Sequence, residues 1–151
     1  SHKARHVATG IDWLQPLDSQ KLAKKLTEHR PDPARPLGVL LQVNIARDRA
    51  KYGLLPEVVF DMTDGLLTAA YPGIELRGLM TIGQRDATEA QRRAEFSALR
   101  ELAADCASRF GKCYFQELSM GMRDDYAAAI AEGATMVRVG SAIFGPRDPA
   151  T

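Results

Sequence analysis

The chain has 151 residues, of which 45% are hydrophobic and 26% charged, and its formal net charge is +1. That is the composition of one ordinary globular domain with a real core. It leaves no bulk electrostatic pull toward nucleic acid or an anionic membrane, and no apolar run approaches the ~20 residues of a membrane span.

The opening Ser1-His2-Lys3-Ala4-Arg5-His6 is basic but has no apolar stretch behind it, so it does not read as a signal peptide. Trp13 to Asp18 reads as a short strand. A helix starts near Ser19 with Leu22, Ala23 and Leu26 on one face, and Pro31, Pro33 and Pro36 make a rigid loop after it. Gly38 to Ile45 is a near-continuous apolar run, as expected of a strand buried on both faces. Arg47 to Gly53 is a charged loop. Pro56 suits the first turn of a helix that places Val59, Met62, Leu66 and Ala70 on one side.

Tyr71-Pro72-Gly73 breaks that helix, and Ile74 to Ile82 is the next strand. Thr88 and Gln91 have the spacing of a capping box opening a long helix, with Leu99, Leu102, Ala103, Cys106 and Phe110 as its stripe. Phe115 to Met120 is a strand, Tyr126 to Ala131 a short helix ended by Gly133, and Thr135 to Val139 the last strand. Cys106 and Cys113 fit no metal spacing and no disulfide framework. Cys106 on an apolar stripe reads as a buried free thiol, and the pair points to a reducing compartment such as the cytoplasm. Five strands alternating with four helices, the strands buried, predict an α/β fold with a parallel sheet in one domain over residues 1–151.

Two segments carry the chemistry. Ser119-Met120-Gly121-Met122 and Arg138-Val139-Gly140-Ser141 follow consecutive strands. In α/β barrels the loops after the last two strands commonly hold a phosphate. Ser119 and Ser141 offer hydroxyls, Gly121 and Gly140 let backbone approach an anion, and Asp124-Asp125-Tyr126 begins a helix whose N-terminus presents donors. Arg138 stands in an apolar strand, facing opposite to Val137 and Val139. A guanidinium there needs an acceptor. A structural Asp or Glu would meet that need, and so would a ligand. No residue has a motif that marks it as catalytic, and no metal site is expected. Tyr52, Arg85 and Asp86 are the only placeable acid–base candidates, while His2, His6 and His29 fall away from the site.

The run Leu118 to Tyr126, then Ala129-Ile130, then Gly133 to Gly145, closely resembles the signature of the pyridoxal phosphate homeostasis proteins, which are related in fold to the N-terminal barrel of alanine racemase. Val43-Asn44-Ile45, Lys51-Tyr52-Gly53 and Arg77 to Ile82 also match. The resemblance implies a (β/α)₈ TIM barrel carrying pyridoxal 5′-phosphate. The backbone and hydroxyl groups of Ser119, Met120, Gly121, Gly140 and Ser141 would hold the phosphate, and Arg138 would approach the pyridine nitrogen. It implies a carrier role without catalysis, with a racemase-like enzyme, or another barrel enzyme with a phosphate substrate, as the alternative. A half-barrel that has lost binding is a third reading.

A barrel of this type needs eight strands and about 250 residues. Aligned by its signature, the chain starts near the fourth strand, so it reads as an incomplete barrel, about strands 4 to 8. The Schiff-base lysine of the family lies on the first strand and is expected in the missing N-terminal part. An N-terminal fragment or a second copy would complete the barrel. Lys3, Lys21, Lys24, Lys25 and Lys112 have no place at the site, and Lys51, in a loop on that face, is a weaker candidate to reach a ligand.

Overall fold

A computed structural model describes residues 12–30, 34–122, 125–140 and 143. Strand β1 (Trp13–Leu17) is followed by helix α1 (Gln20–His29), β2 (Leu37–Gln42), α2 (Val59–Ala69), β3 (Ile74–Met80), α3 (Glu89–Phe110), β4 (Glu117–Met122), α4 (Tyr126–Ala131) and β5 (Met136–Arg138). Short 3₁₀ turns at Pro56–Val58 and Lys112–Tyr114 lead into α2 and β4.

All five strands are parallel and lie side by side in chain order. A doubly wound sheet reverses its strand order at a switch point. This sheet does not, so it is a stretch of α/β barrel wall, with one face against helices and the other toward the barrel interior. The helix-side core takes Val39, Leu41 and Val43, Leu76 and Leu79, and Leu118 and Met120 from the sheet. These pack against Ala23, Leu26, Val59, Met62, Leu66, Phe96, Leu99, Ala103 and Cys106 from the helices. Gln42, Met80, Ser119 and Met136 are successive cross-strand partners and form one layer of the opposite, interior face.

A bulge keeps β3 in phase with its neighbours. Val39 pairs with Leu76 but Leu40 pairs with Gly78, so Arg77 is an extra residue. Leu76 and Leu79, three positions apart, therefore both reach the helix side, which strict alternation forbids.

Local chemistry sets the element ends. Ser19 caps α1 by accepting from the Leu22 amide, and Thr88 and Gln91 form the expected reciprocal capping box on α3. Strand β2 stops at Gln42, three residues short of the expected end, because the Asn44 side chain competes for the backbone. Its Oδ1 accepts from the Asp48 amide at 3.1 Å and its Nδ2 donates to the Asp48 carbonyl at 2.8 Å, winding the loop around itself. Ladder pairing continues only as the single Val43–Leu54 bridge. Strand β3 ends at Met80 rather than Ile82, and β5 is shorter than expected by one residue at each end. Ala70 is not on the α2 stripe. It is the exposed C-cap, in the left-handed conformation at φ 45°, and Thr63 is buried in α2 with its hydroxyl donating to the Val59 carbonyl. On α3 the buried stripe extends one turn back to Phe96, which continues the apolar spacing from Leu99, and includes Glu95, which that spacing does not pick out.

The two cysteines differ sharply. Cys106 is fully buried, and burial first, with Asp105 adding, pushes its thiol up to about 11. Cys113 is exposed. The thiolate is the reactive form. Alkylation of native protein near pH 8 should therefore modify Cys113 alone, with Cys106 reacting only after denaturant is added. Mass spectrometry of the labelled peptides reads this directly, and rapid native labelling of Cys106 would contradict the core described here.

Candidate functional site at the C-terminal ends of the strands

Arg138 ends β5 on the interior face. Its Nη1 donates to Ser119 Oγ at 2.6 Å and its Nη2 to the Thr81 carbonyl at 2.6 Å. The Thr81 hydroxyl in turn donates to the Val43 carbonyl at 2.8 Å. One guanidinium thus joins β3, β4 and β5, and Thr81 extends the connection to β2. Among the described residues no carboxylate forms an ion pair with Arg138. Burial lowers its pKa from the ordinary guanidinium value, and the charge of Asp125 opposes that shift. The side chain stays charged, since arginine does not deprotonate in proteins. The structural-carboxylate partner left open by the sequence is absent among the described residues. Both acceptors are neutral.

The Ser119–Met122 segment turns sharply at Gly121, whose φ is +91°. A Cβ there would lie 2.6 Å from Ala129 Cβ, so the turn packs directly on α4. Ser119 and Met120 are fully buried. The Ser119 hydroxyl serves Arg138, and the Met120 side chain lies in the helix-side core, which leaves its backbone as the part able to serve a site. Gly140 is the opposite of Gly121: among the described residues a Cβ there meets nothing within 4 Å, so the backbone borders open space. Ser141 and Asp124 lie outside the described residues.

Helix α4 has only six residues, and Asp125 does not cap it. The Asp125 carboxylate instead accepts from the Met122 amide, while its own amide donates to the Met122 carbonyl at 2.9 Å. The turn is closed by this side chain. Behind it, Glu132 accepts from Arg100 at 2.6 Å and pairs with Arg93 at 3.5 Å, clamping α4 to α3.

A cleft of about 370 Å³ opens between the β3–α3 and β4–α4 loops, lined by Lys51, Ile82, Gly83, Gln84, Arg85, Arg92, Gly121, Met122 and Asp125. Lys51 reaches it from the β2–α2 loop and donates from Nζ to the Gly83 carbonyl at 2.7 Å. A smaller cavity of about 170 Å³, lined by Gln42, Asn44 and Tyr52 among others, shares Lys51 and Ile82 with it, so those two side chains form the partition. Lys51, Arg85 and Arg92 against Asp125 make the cleft lining net positive. Of the acid–base candidates, Arg85 lines the cleft, while Tyr52 is 83% exposed on the smaller cavity and Asp86 is exposed. Among the described residues no three His, Cys, Asp or Glu side chains gather as a metal site, and no helix is long and apolar enough to cross a membrane.

Residues 3–148 match the family described as alanine racemase, N-terminal domain. The chain belongs to that family. Along nearly its whole length it resembles pyridoxal phosphate homeostasis proteins. The relative of that name from Pseudomonas aeruginosa is 41% identical over 148 residues, covering 98% of this chain and 61% of the relative. The chain therefore spans about three fifths of the length of the curated relatives it matches. Among solved structures, PipY of Synechococcus elongatus without PLP superposes with a TM-score of 0.86 at 34% identity, covering 96% of this chain and 66% of PipY. The same protein with PLP bound gives 0.85 at 33%, covering 95% and 66%. In this family member, then, the half-buried arginine, the Gly121 turn and the open Gly140 backbone stand together at the C-terminal face of the wall.

The sequence left one contributor out of the site and ranked another low. Thr81 falls inside the Arg77–Ile82 match, but nothing there marks its backbone carbonyl as the acceptor for Arg138. Lys51, a candidate only by its loop, proves to line the cleft.

The two glycines yield a contrast. Gly121→Ala combines a strained φ with a collision against Ala129 and should cost about 1–3 kcal/mol of stability in urea unfolding. Gly140→Ala enters open space and should stay within about 0.5 kcal/mol of wild type. Equal effects would mean that the Gly121 turn is not built as described.

Proposed function

We propose that this chain is the C-terminal part of a pyridoxal 5′-phosphate-binding barrel and serves cofactor homeostasis, holding the cofactor without catalysis of its own. The observation that carries this is Arg138: a half-buried guanidinium with two neutral acceptors and no ion-paired carboxylate among the described residues, beside an open glycine backbone. A retained cation of this kind costs free energy unless it serves an acceptor. The bound PipY structure supports pyridoxal 5′-phosphate as the ligand class.

The donor set fits that cofactor. On this reading the backbone at Met120–Gly121 and Gly140, with Ser141, holds the phosphate. Ser119 and Thr81 hold Arg138 in place, and Arg138 faces the pyridine nitrogen. When bound, the cofactor supplies an electrophilic aldehyde and an aromatic ring able to accept electrons. Arg138 works against the second property. It cannot give up its proton, so it does not keep the ring nitrogen charged, and the ring is a poor electron sink. That suits storage better than amino-acid chemistry. The lysine for the aldehyde belongs to the part of the relatives that this chain does not match, and that part, or a second copy, supplies the strands that close the wall. The two thiols, one buried and free, accord with a cytoplasmic setting.

Arg138→Ala should weaken retention of pyridoxal 5′-phosphate by about tenfold or more, the usual consequence of removing a charged hydrogen-bond donor, while far-UV circular dichroism stays unchanged. Calorimetric titration measures the first quantity. Unchanged affinity would sink the proposal, and global unfolding would make Arg138 a purely structural tie.

A further inference from the structure

Glu95 is the one buried acidic side chain among the described residues that the site described above does not use. It lies on α3, is 9% exposed, and its Oε2 has no hydrogen-bond partner. An orphaned carboxylate oxygen in the interior calls for a reason. Its surroundings supply one. A Cβ on Gly83 would sit 3.7 Å from Glu95 Oε2 and 3.7 Å from Asp125 Oδ2, so two carboxylates flank one glycine from two different elements. The carbonyl of that glycine holds the Lys51 ammonium. Lys51 has three donors and a flexible stem, and it forms no ion pair with either carboxylate. It is thus held on the Gly83 wall by one hydrogen bond and by the charges of the carboxylates that flank this glycine.

We propose that Glu95 is a positioning residue for Lys51: its charge keeps the lysine ammonium on the Gly83 wall, and neutralising it releases that cation to an anion bound in the cleft beside the Gly121 turn. This rests on the phosphate reading above only for the identity of the natural anion. Every charged group facing Glu95 has a known side. Lys51 comes from the β2–α2 loop, Arg92 from its own helix and Asp125 from the β4–α4 loop. Burial is the main influence on Glu95 and pushes its carboxyl up; the Gln84 amide, Lys51 and Arg92 oppose this and Asp125 adds to it. As pH falls, Glu95 therefore takes up its proton earlier than an ordinary carboxyl. The ammonium is then freed and anion binding strengthens.

Two measurements on the intact chain test this. The first needs no ligand. The ¹³C resonance of the Gly83 carbonyl reports the Lys51 hydrogen bond, and Glu95→Gln should move it toward its position in Lys51→Met. An unmoved resonance overturns the proposal. The second is sulfate binding, because sulfate keeps its charge across the range in which Glu95 titrates. Glu95→Gln, which preserves volume, should bind sulfate about threefold or more tightly than wild type and lose the strengthening at low pH, and the gain should vanish in a Lys51→Met background. A gain that persists without Lys51 would mean simple repulsion of the anion by Glu95 and would overturn the positioning role, as would no gain at all. Failure of the cofactor reading shows differently: the wild type then ignores pyridoxal 5′-phosphate while the Gly83 and sulfate responses remain.

Discussion

The grip of Arg138 on Ser119 and on the Thr81 carbonyl organises the C-terminal face of this wall. The two bonds are short, 2.6 Å each; the first joins β5 to its neighbour β4, and the second reaches past β4 to the end of β3, 57 residues back in the chain. A half-buried cation met only by neutral acceptors is less well compensated than an ion pair. That deficit is a property of the site rather than a flaw in packing. It leaves a residual positive potential at the strand ends, where Gly140 exposes backbone and where the Lys51, Arg85 and Arg92 lining is also net positive.

Support for this arrangement comes from behind. The helix-side core is continuous from Leu17 to Ala129. The Glu132 clamp fixes α4 against α3, and the tight contact of Gly121 with Ala129 transfers that rigidity to the turn. The Asn44 side chain plays the same part for the β2–α2 loop, holding the Asp48 carbonyl and amide and so fixing where Lys51 starts from. The loop groups proposed to bind are in this way held by side chains buried in or against regular structure.

Much of this was legible in the residues. Alternating apolar runs and amphipathic segments placed all five strands and four helices, because buried strands and one-sided helices leave strong patterns. The glycine and serine after consecutive strands stood out as the proposed phosphate cradle, and Arg138 stood out as a charge in an apolar strand. What the pattern missed follows from three physical facts. Strand ends depend on side-chain competition such as that of Asn44, which periodicity does not encode. Hydrogen bonds to backbone carbonyls, as at Thr81 and Gly83, leave no trace in side-chain identity. Glu95 carries a charge on a core stripe, and a residue that breaks the apolar rule is passed over by any reading that looks for apolar spacing.

The extra residue in β3 has a consequence for how related chains are compared. Because Arg77 has no partner on β2, Leu76 and Gly78 pair with the adjacent Val39 and Leu40 as though they were consecutive. A relative lacking that one residue would keep its Leu76 and Leu79 equivalents at the helices and its Met80 equivalent in the lumen, so a gap at this column would leave the pocket intact. A gap between Gly78 and Thr81, with the bulge kept, would instead turn the residues after it to the opposite face. Where a gap falls in this one strand therefore decides whether two sequences that share a motif also share a pocket.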